Sequence, residues 1–314
     1  MPGPFLSRDL RRESLLALAP SGFHRLVYFE RGDPQAPHLV LCVHGLTRNA
    51  RDFDFLAEAL AAHCRVVCPD LPGRGASDWL RDPSDYRFST YLYDCAALIA
   101  RLSAPQKRRS LFARRAQGEP RIDWIGTSMG GLIGLLLAAR PGTPIRRLVL
   151  NDVGAFIPWS ALWRLKGHVG ATRYASRDAA ARALREACAG FGPLEERHWQ
   201  HLVAHGIEPD PAGGWRMRFD PGIGRPLYGH IDPEFPLGPN SLAGVDLWGA
   251  WEAVRAPTLV LRGERSEVLS RETLARMRAL SPAVEAVEFA GVGHAPALMS
   301  EEQIAAVRDF LLRP

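Results

Sequence analysis

Gly126, Ser128 and Gly130 form a G-x-S-x-G run within Ile122-Asp123-Trp124-Ile125-Gly126-Thr127-Ser128-Met129-Gly130-Gly131-Leu132. A serine hydroxyl is a weak nucleophile until a base takes its proton and fixed donors accept the charge that develops. The residues around Ser128 predict how part of that need is met. Ile122 to Ile125 is a short apolar run of the buried-strand type. Residues 132–140 read as a helix, closed by Pro141 and Gly142. Between them the chain must turn sharply, which strains Ser128 and lifts its hydroxyl clear of the sheet. Ser128 then sits at a helix N-terminus, where free N–H groups and the helix dipole favour negative charge. A side chain at position 126 or 130 would collide with the neighbouring strand and helix. With 29 glycines in the chain such a run can arise by chance, so the strand and helix around it carry the argument.

The elements on either side must hold that turn in place. Residues 24–30 alternate loosely and read as an early strand. Leu39-Val40-Leu41-Cys42-Val43 is continuously apolar, the pattern of a parallel strand buried on both faces. It ends in His44-Gly45-Leu46, where Gly45 lets the backbone turn and His44 reads as a packed, hydrogen-bonded ring. Residues 65–68 are the next strand and lead into a glycine-rich loop, 69–78. That loop is too short to cradle phosphate and lacks the lysine of a P-loop, which argues against nucleotide binding. Residues 145–150, 257–263 and 284–289 read as further strands. Residues 52–63, 88–102, 271–280 and 301–312 read as helices. Strands alternating with helices predict an α/β fold with a doubly wound, mostly parallel sheet and its functional loops at the strands' carboxyl ends.

From 155 to 255 the pattern changes. Helical stretches at 176–189 and 194–205 appear among Pro, Gly and aromatics. Trp159, Trp163, Trp199, Trp215, Trp248 and Trp251 are six of the chain's eight tryptophans. The stretch reads as a lid inserted into a core of residues 1–154 and 256–314, with Trp159 and Trp163 expected at an apolar pocket over Ser128. His198, His201 and His205 share one helix face. They are read as exposed histidines, and no metal site is assigned to them.

The net charge of +5 is local. Residues 101–121 carry Arg101, Lys107, Arg108, Arg109, Arg114, Arg115 and Arg121 against Glu119 alone. The remainder is close to neutral, so no binding face for nucleic acid is expected. The bland reading of that segment is a solvated surface loop. Cys42, Cys64, Cys68, Cys95 and Cys188 form no C-x-x-C pair, and four of them sit in apolar contexts, which points to free thiols in a reducing compartment. No signal-peptide core and no apolar run long enough for a bilayer are evident, so a soluble cytoplasmic protein is expected, without a membrane partner.

Taken together, the His44-Gly45 turn, the loop 70–78, the Gly126–Gly130 elbow, the loop after Gly263 and the Gly293-His294 turn resemble the α/β-hydrolase superfamily over nearly the whole chain. Its capped members include carboxylesterases, enol-lactonases and meta-cleavage carbon–carbon hydrolases. The resemblance implies Ser128 as nucleophile, His294 as base and then acid, and the N–H groups of Leu46 and Met129 as an oxyanion hole. The acid is where this chain departs from the pattern. Ser266 stands where Asp often falls, with Glu267 beside it. The carboxyl end of the strand closing at Gly263 faces the site, so Glu267 is the expected acid, with Asp152 at the end of an earlier strand as the alternative.

Such a triad would hydrolyse an ester or lactone of a small to medium, largely apolar acyl group, with a small-molecule substrate and no cofactor or metal. A carbon–carbon hydrolase of aromatic breakdown or an acyltransferase could use the same residues. A non-catalytic binding module on the same fold is the alternative of another class. Serine rather than aspartate at the elbow argues against displacement at an alkyl carbon.

Overall fold

The computed structural model describes residues 9–104, 121–166, 170, 172–228, 238–281 and 283–313. Most of the basic segment, 105–120, lies outside them, so the loop expected there is not described.

The chain opens with an antiparallel hairpin of β1 (Arg11–Ala19) and β2 (Gly22–Arg31). Then come β3 (His38–Val43), α1 (Asp54–Leu60), β4 (Arg65–Pro69), α2 (Phe88–Ser103), β5 (Arg121–Thr127), α3 (Met129–Ala138) and β6 (Ile145–Asn151). An excursion follows: β7 (Phe156–Pro158), α4 (Trp159–Lys166), α5 (Arg177–Ala187), α6 (Glu196–Gly206), β8 (Ile207–Pro209), β9 (Trp215–Met217), β10 (Gly244–Asp246) and α7 (Trp248–Ala253). The sheet resumes with β11 (Thr258–Gly263), α8 (Arg271–Leu280), β12 (Val284–Phe289) and α9 (Glu301–Leu311).

Eight strands form one sheet in the order β1-β2-β4-β3-β5-β6-β11-β12. From β4 to β12 in that order every neighbouring pair is parallel, and β1 and β2 add an antiparallel edge. Strands β3, β4 and β11 are buried on both faces, which their apolar runs anticipate, whereas the edge strand β12 exposes Glu285 and Glu288. Alternate residues of β3 serve opposite layers. Leu39, Leu41 and Val43 pack with α2 and α3, whereas Val40 and Cys42 pack with α1 and α9. The expected doubly wound α/β fold is therefore what forms. Among the described residues no helix is long and apolar enough to cross a membrane.

Helix α3 is apolar nearly all round because it lies in the core; Leu132, Ile133, Leu135 and Leu136 are all buried. Trp124 on β5 is fully buried and donates its indole N–H to the Gly130 carbonyl at 3.0 Å. Truncating a side chain of that size to Ala costs about 3–5 kcal/mol. A Cβ on Gly130 would lie 2.0 Å from the Val43 carbonyl oxygen, and one on Gly126 would lie 2.2 Å from the Gly130 oxygen. Strand and helix thus meet backbone to backbone, as the spacing of the two glycines requires.

The excursion between β6 and β11 has two characters. Ala155, Ile157, Ala161, Leu247, Trp248 and Trp251 join the main core. Ala180, Leu184, Leu202, Val203 and Ile207, from α5 and α6, form a cluster of their own. Trp199 and Trp215 pack against that smaller cluster. Most of these tryptophans are therefore structural.

Candidate active site

Ser128 is the N-cap of α3 and holds φ 51° and ψ −116°, a conformation that side chains rarely adopt. The Ser128 N–H donates to Asn151 O at 3.0 Å, and its own carbonyl accepts from Gly131 and Leu132. The turn is over-determined, so the strain persists. Met129 supplies the first N–H of α3, which has no partner within the helix.

His294, in the loop after β12, reaches this serine. Its Nε2 lies 2.9 Å from Ser128 Oγ, and its Nδ1 lies 2.7 Å from Asp152 Oδ2. With the carboxylate at Nδ1, that nitrogen carries the proton and Nε2 is free to accept one from the hydroxyl. Asp152 is fully buried just past β6, with a positive φ of 58°. Its other oxygen, Oδ1, accepts from the Gly263 N–H at 2.8 Å. That bond ties it to the end of β11 and aims Oδ2 at the imidazole.

The geometry corrects the sequence reading of the acid. Glu267 does not meet His294: its side chain is 64% exposed and pairs with Arg164 at 2.6 Å. The cause is local. Ser266 donates its N–H to Gly263 O at 2.9 Å, and its hydroxyl oxygen accepts from Val268 and Leu269 N–H groups. This tight turn carries Glu267 outward. Glu264 is occupied as well, accepting from the Gly291 N–H at 2.7 Å. The carboxylate brought to His294 is Asp152.

The loop carrying Leu46 lies against the elbow, and a Cβ on Gly45 would be 3.6 Å from Ser128 Cβ. His44 is buried and bridges two backbones. The Leu71 N–H donates to its Nε2 at 3.0 Å, so Nδ1 holds the proton that is donated to Gly45 O at 2.7 Å. Burial pushes its pKa down to about 3, so the ring stays neutral. The Arg48 N–H also reaches Gly45 O, at 3.2 Å. Together they fix the Gly45–Leu46 peptide, whose N–H is the first oxyanion donor expected from sequence.

Several supports went unread in the sequence. Asn151 is buried and donates to Thr127 Oγ1 at 3.0 Å and to Pro296 O at 2.8 Å, linking the elbow strand to the histidine loop. Gly190, in the excursion, accepts from the Gly293 N–H at 2.7 Å. No local motif marks either residue, because the partners of each are distant along the chain.

Two other expectations change. Trp159 and Trp163 are 41% and 64% exposed. Helix α4 packs through Ala161 and Leu162, which turns the tryptophan face outward, so burial does not place the pair in a pocket. The histidines of α6 are not exposed either. His198 and His201 are buried, and His198 Nδ1 accepts from the Glu195 N–H as part of a capping box. Ligand-type atoms of Asp54, His201 and His205 lie within 4.8 Å of one another. The Arg51 guanidinium already pairs with Asp54, and His201 Nε2 donates to Arg51 O at 2.8 Å. An arginine thus fills the place a cation would take.

Buried neutral histidines make stability fall with acid. The folded pKa of His44 is about 3 against an ordinary 6.5, so its contribution is complete above pH 6.5 and lost as pH falls toward 3. His205, lowered to about 2, acts in the same direction. His44→Asn is expected to be less stable than wild type at pH 7, with a gap that narrows by pH 4. Urea melts at the two pH values test this; an unchanged gap would show that His44 does not titrate on unfolding.

The fold, the serine on its elbow and the histidine after the last strand define a class, and sequence comparison agrees. Residues 40–307 match the profile of the alpha/beta hydrolase family, and the chain belongs to that family. It is a hydrolase. It is 38% identical over 309 residues to the 3-hydroxybutyrate-oligomer hydrolase of Cupriavidus necator, covering 97% of this chain and 99% of that one. It is 27% identical over 273 residues to a pimeloyl-[acyl-carrier protein] methyl ester esterase of Xanthomonas oryzae, covering 86% and 92%. Among solved structures it is similar to an alpha/beta hydrolase from Novosphingobium aromaticivorans, with a TM-score of 0.78, 35% identity and coverage of 97% and 99%.

Proposed function

We propose that this chain is a serine ester hydrolase acting on short oligoesters of 3-hydroxy acids. One observation carries the serine chemistry: a single imidazole lies 2.9 Å from Ser128 Oγ and 2.7 Å from Asp152. The similarity to the hydroxybutyrate-oligomer hydrolase along almost the full length of both chains supports the substrate class. Ser128 Oγ attacks the ester carbonyl while His294 Nε2 takes its proton. The Leu46 and Met129 N–H groups hold the oxyanion, each worth about 3–4 kcal/mol. When the tetrahedral adduct collapses, His294 returns the proton to the departing 3-hydroxyl. Water then attacks the acyl-enzyme by the same route, releasing the acid and free Ser128. The excursion from 155 to 255 acts as a lid over this site, its Gly190 bonded to the histidine loop.

The test is a substrate panel on the purified protein: hydroxybutyrate dimer and trimer, p-nitrophenyl butyrate, a γ-lactone and a ring-fission dienoate. The oligoesters are expected to give the highest kcat/KM. A dienoate cleaved fastest would move the chain to carbon–carbon hydrolysis, and turnover of none with no fluorophosphonate labelling would make it a binding module.

A further inference from the structure

Arg74 lies in the glycine-rich loop after β4 and is completely buried. A guanidinium keeps its charge in any protein setting and is costly to bury without partners. Among the described residues no carboxylate forms an ion pair with it. Its partners are the Leu46 carbonyl, taken by Nε at 2.8 Å, and the Pro72 carbonyl and Tyr91 hydroxyl, taken by Nη1 at 2.7 and 2.8 Å. Nη2 lies 3.8 Å from Met129 Sδ. The guanidinium carbon sits 5.0 Å from the Tyr91 ring centre and 5.7 Å from that of Tyr86.

Two of these contacts fall on the two residues whose N–H groups form the oxyanion hole. His44 and the Arg48 N–H hold the carbonyl before Leu46, and Arg74 holds the carbonyl after it. With both flanking peptides clamped, the Leu46 N–H cannot swing away from the site. Among the described residues no carboxylate touches this cation, the nearby Asp220 being bonded to Tyr86 at 2.6 Å, so its field reaches the adjacent oxyanion through low-dielectric protein. We propose that Arg74 is the positioning residue of the oxyanion hole, fixing the Leu46 N–H through the Leu46 carbonyl and lending the positive charge of its guanidinium to the transition state. The inference rests on the ester-hydrolase reading of the site.

Such a role strengthens binding of the tetrahedral anion and leaves the neutral ester nearly untouched. Two variants separate its parts: R74K keeps the charge but loses the planar fork, and R74M loses both. With p-nitrophenyl butyrate, and per active site titrated by fluorophosphonate, kcat is expected to fall about tenfold in R74K and about a hundredfold in R74M. KM should stay within about threefold. The Ki of an alkyl trifluoromethyl ketone, which forms an anionic tetrahedral adduct on serine, should rise in proportion to the loss in kcat/KM. A merely structural arginine would lower the melting temperature and the fraction of active sites, with kcat per site and Ki unchanged. That result would overturn the inference, and R74K alone decides if R74M does not fold. Wild-type protein that neither cleaves the ester nor reacts with fluorophosphonate would overturn the hydrolase reading and this inference with it.

Discussion

Ser128→Ala should leave the fold intact and lower kcat by at least about a thousandfold. The serine makes its structural hydrogen bonds through its backbone, which alanine retains; among the described residues its hydroxyl bonds only to His294. Alanine also reduces no packing, since only one oxygen is lost. The positive φ of 51° is already strained for serine and is no worse for alanine. The expected result is an unchanged melting temperature with hydrolysis reduced to what the oxyanion donors provide alone. Substantial activity in a variant of verified mass would show that another group attacks the substrate.

Asp152→Asn should cost between about 10² and 10⁴ in kcat, and Glu267→Gln should cost almost nothing. An amide at 152 can accept at Oδ1 from Gly263 or offer an oxygen to His294. It cannot carry the charge that stabilises the imidazolium, and it favours the wrong tautomer. Asp152 is fully buried, and its two oxygens are spent on Gly263 N–H and His294. Glu267 sits on the surface with Arg164, where an exposed ion pair contributes little. Kinetics on both variants, with circular dichroism to verify folding, decide between the carboxylates. A crippled Glu267→Gln beside an active Asp152→Asn would return the acid to the loop after β11.

The sequence carried what local pattern can carry. Apolar runs marked β3, β4, β5, β6 and β11, because a parallel strand between two helical layers must be apolar on both faces. Gly126 and Gly130 marked the elbow, because backbone contact there excludes any Cβ. Strand β1 leaves little mark in the sequence. Its Arg-Arg-Glu-Ser start is polar, and Leu16 and Leu18 face solvent, so its inward–outward alternation carries no clear hydrophobic signal. The choice of Asp152 over Glu267 depends on a turn built by Ser266 and on the alignment of β6 beside β11. The turn is local but is closed by a side-chain hydroxyl, and the strand alignment is tertiary, so spacing along the chain encodes neither. The tryptophans depend on packing as well. Composition counts aromatic rings, whereas the packing of Ala161 and Leu162 decides which way α4 turns Trp159 and Trp163. The histidines of α6 share one face as their spacing implies, but that face is closed by Asp54 and Phe55 of α1.

The most direct measurement is to trap the covalent intermediate. Wild-type protein mixed with p-nitrophenyl butyrate, quenched in acid during turnover and digested, is analysed by mass spectrometry. The account predicts a butyryl group on the peptide containing Gly126-Thr127-Ser128-Met129-Gly130, localised to Ser128. An acyl group on a different residue, or brisk turnover with no acyl-enzyme at any quench time, would contradict it.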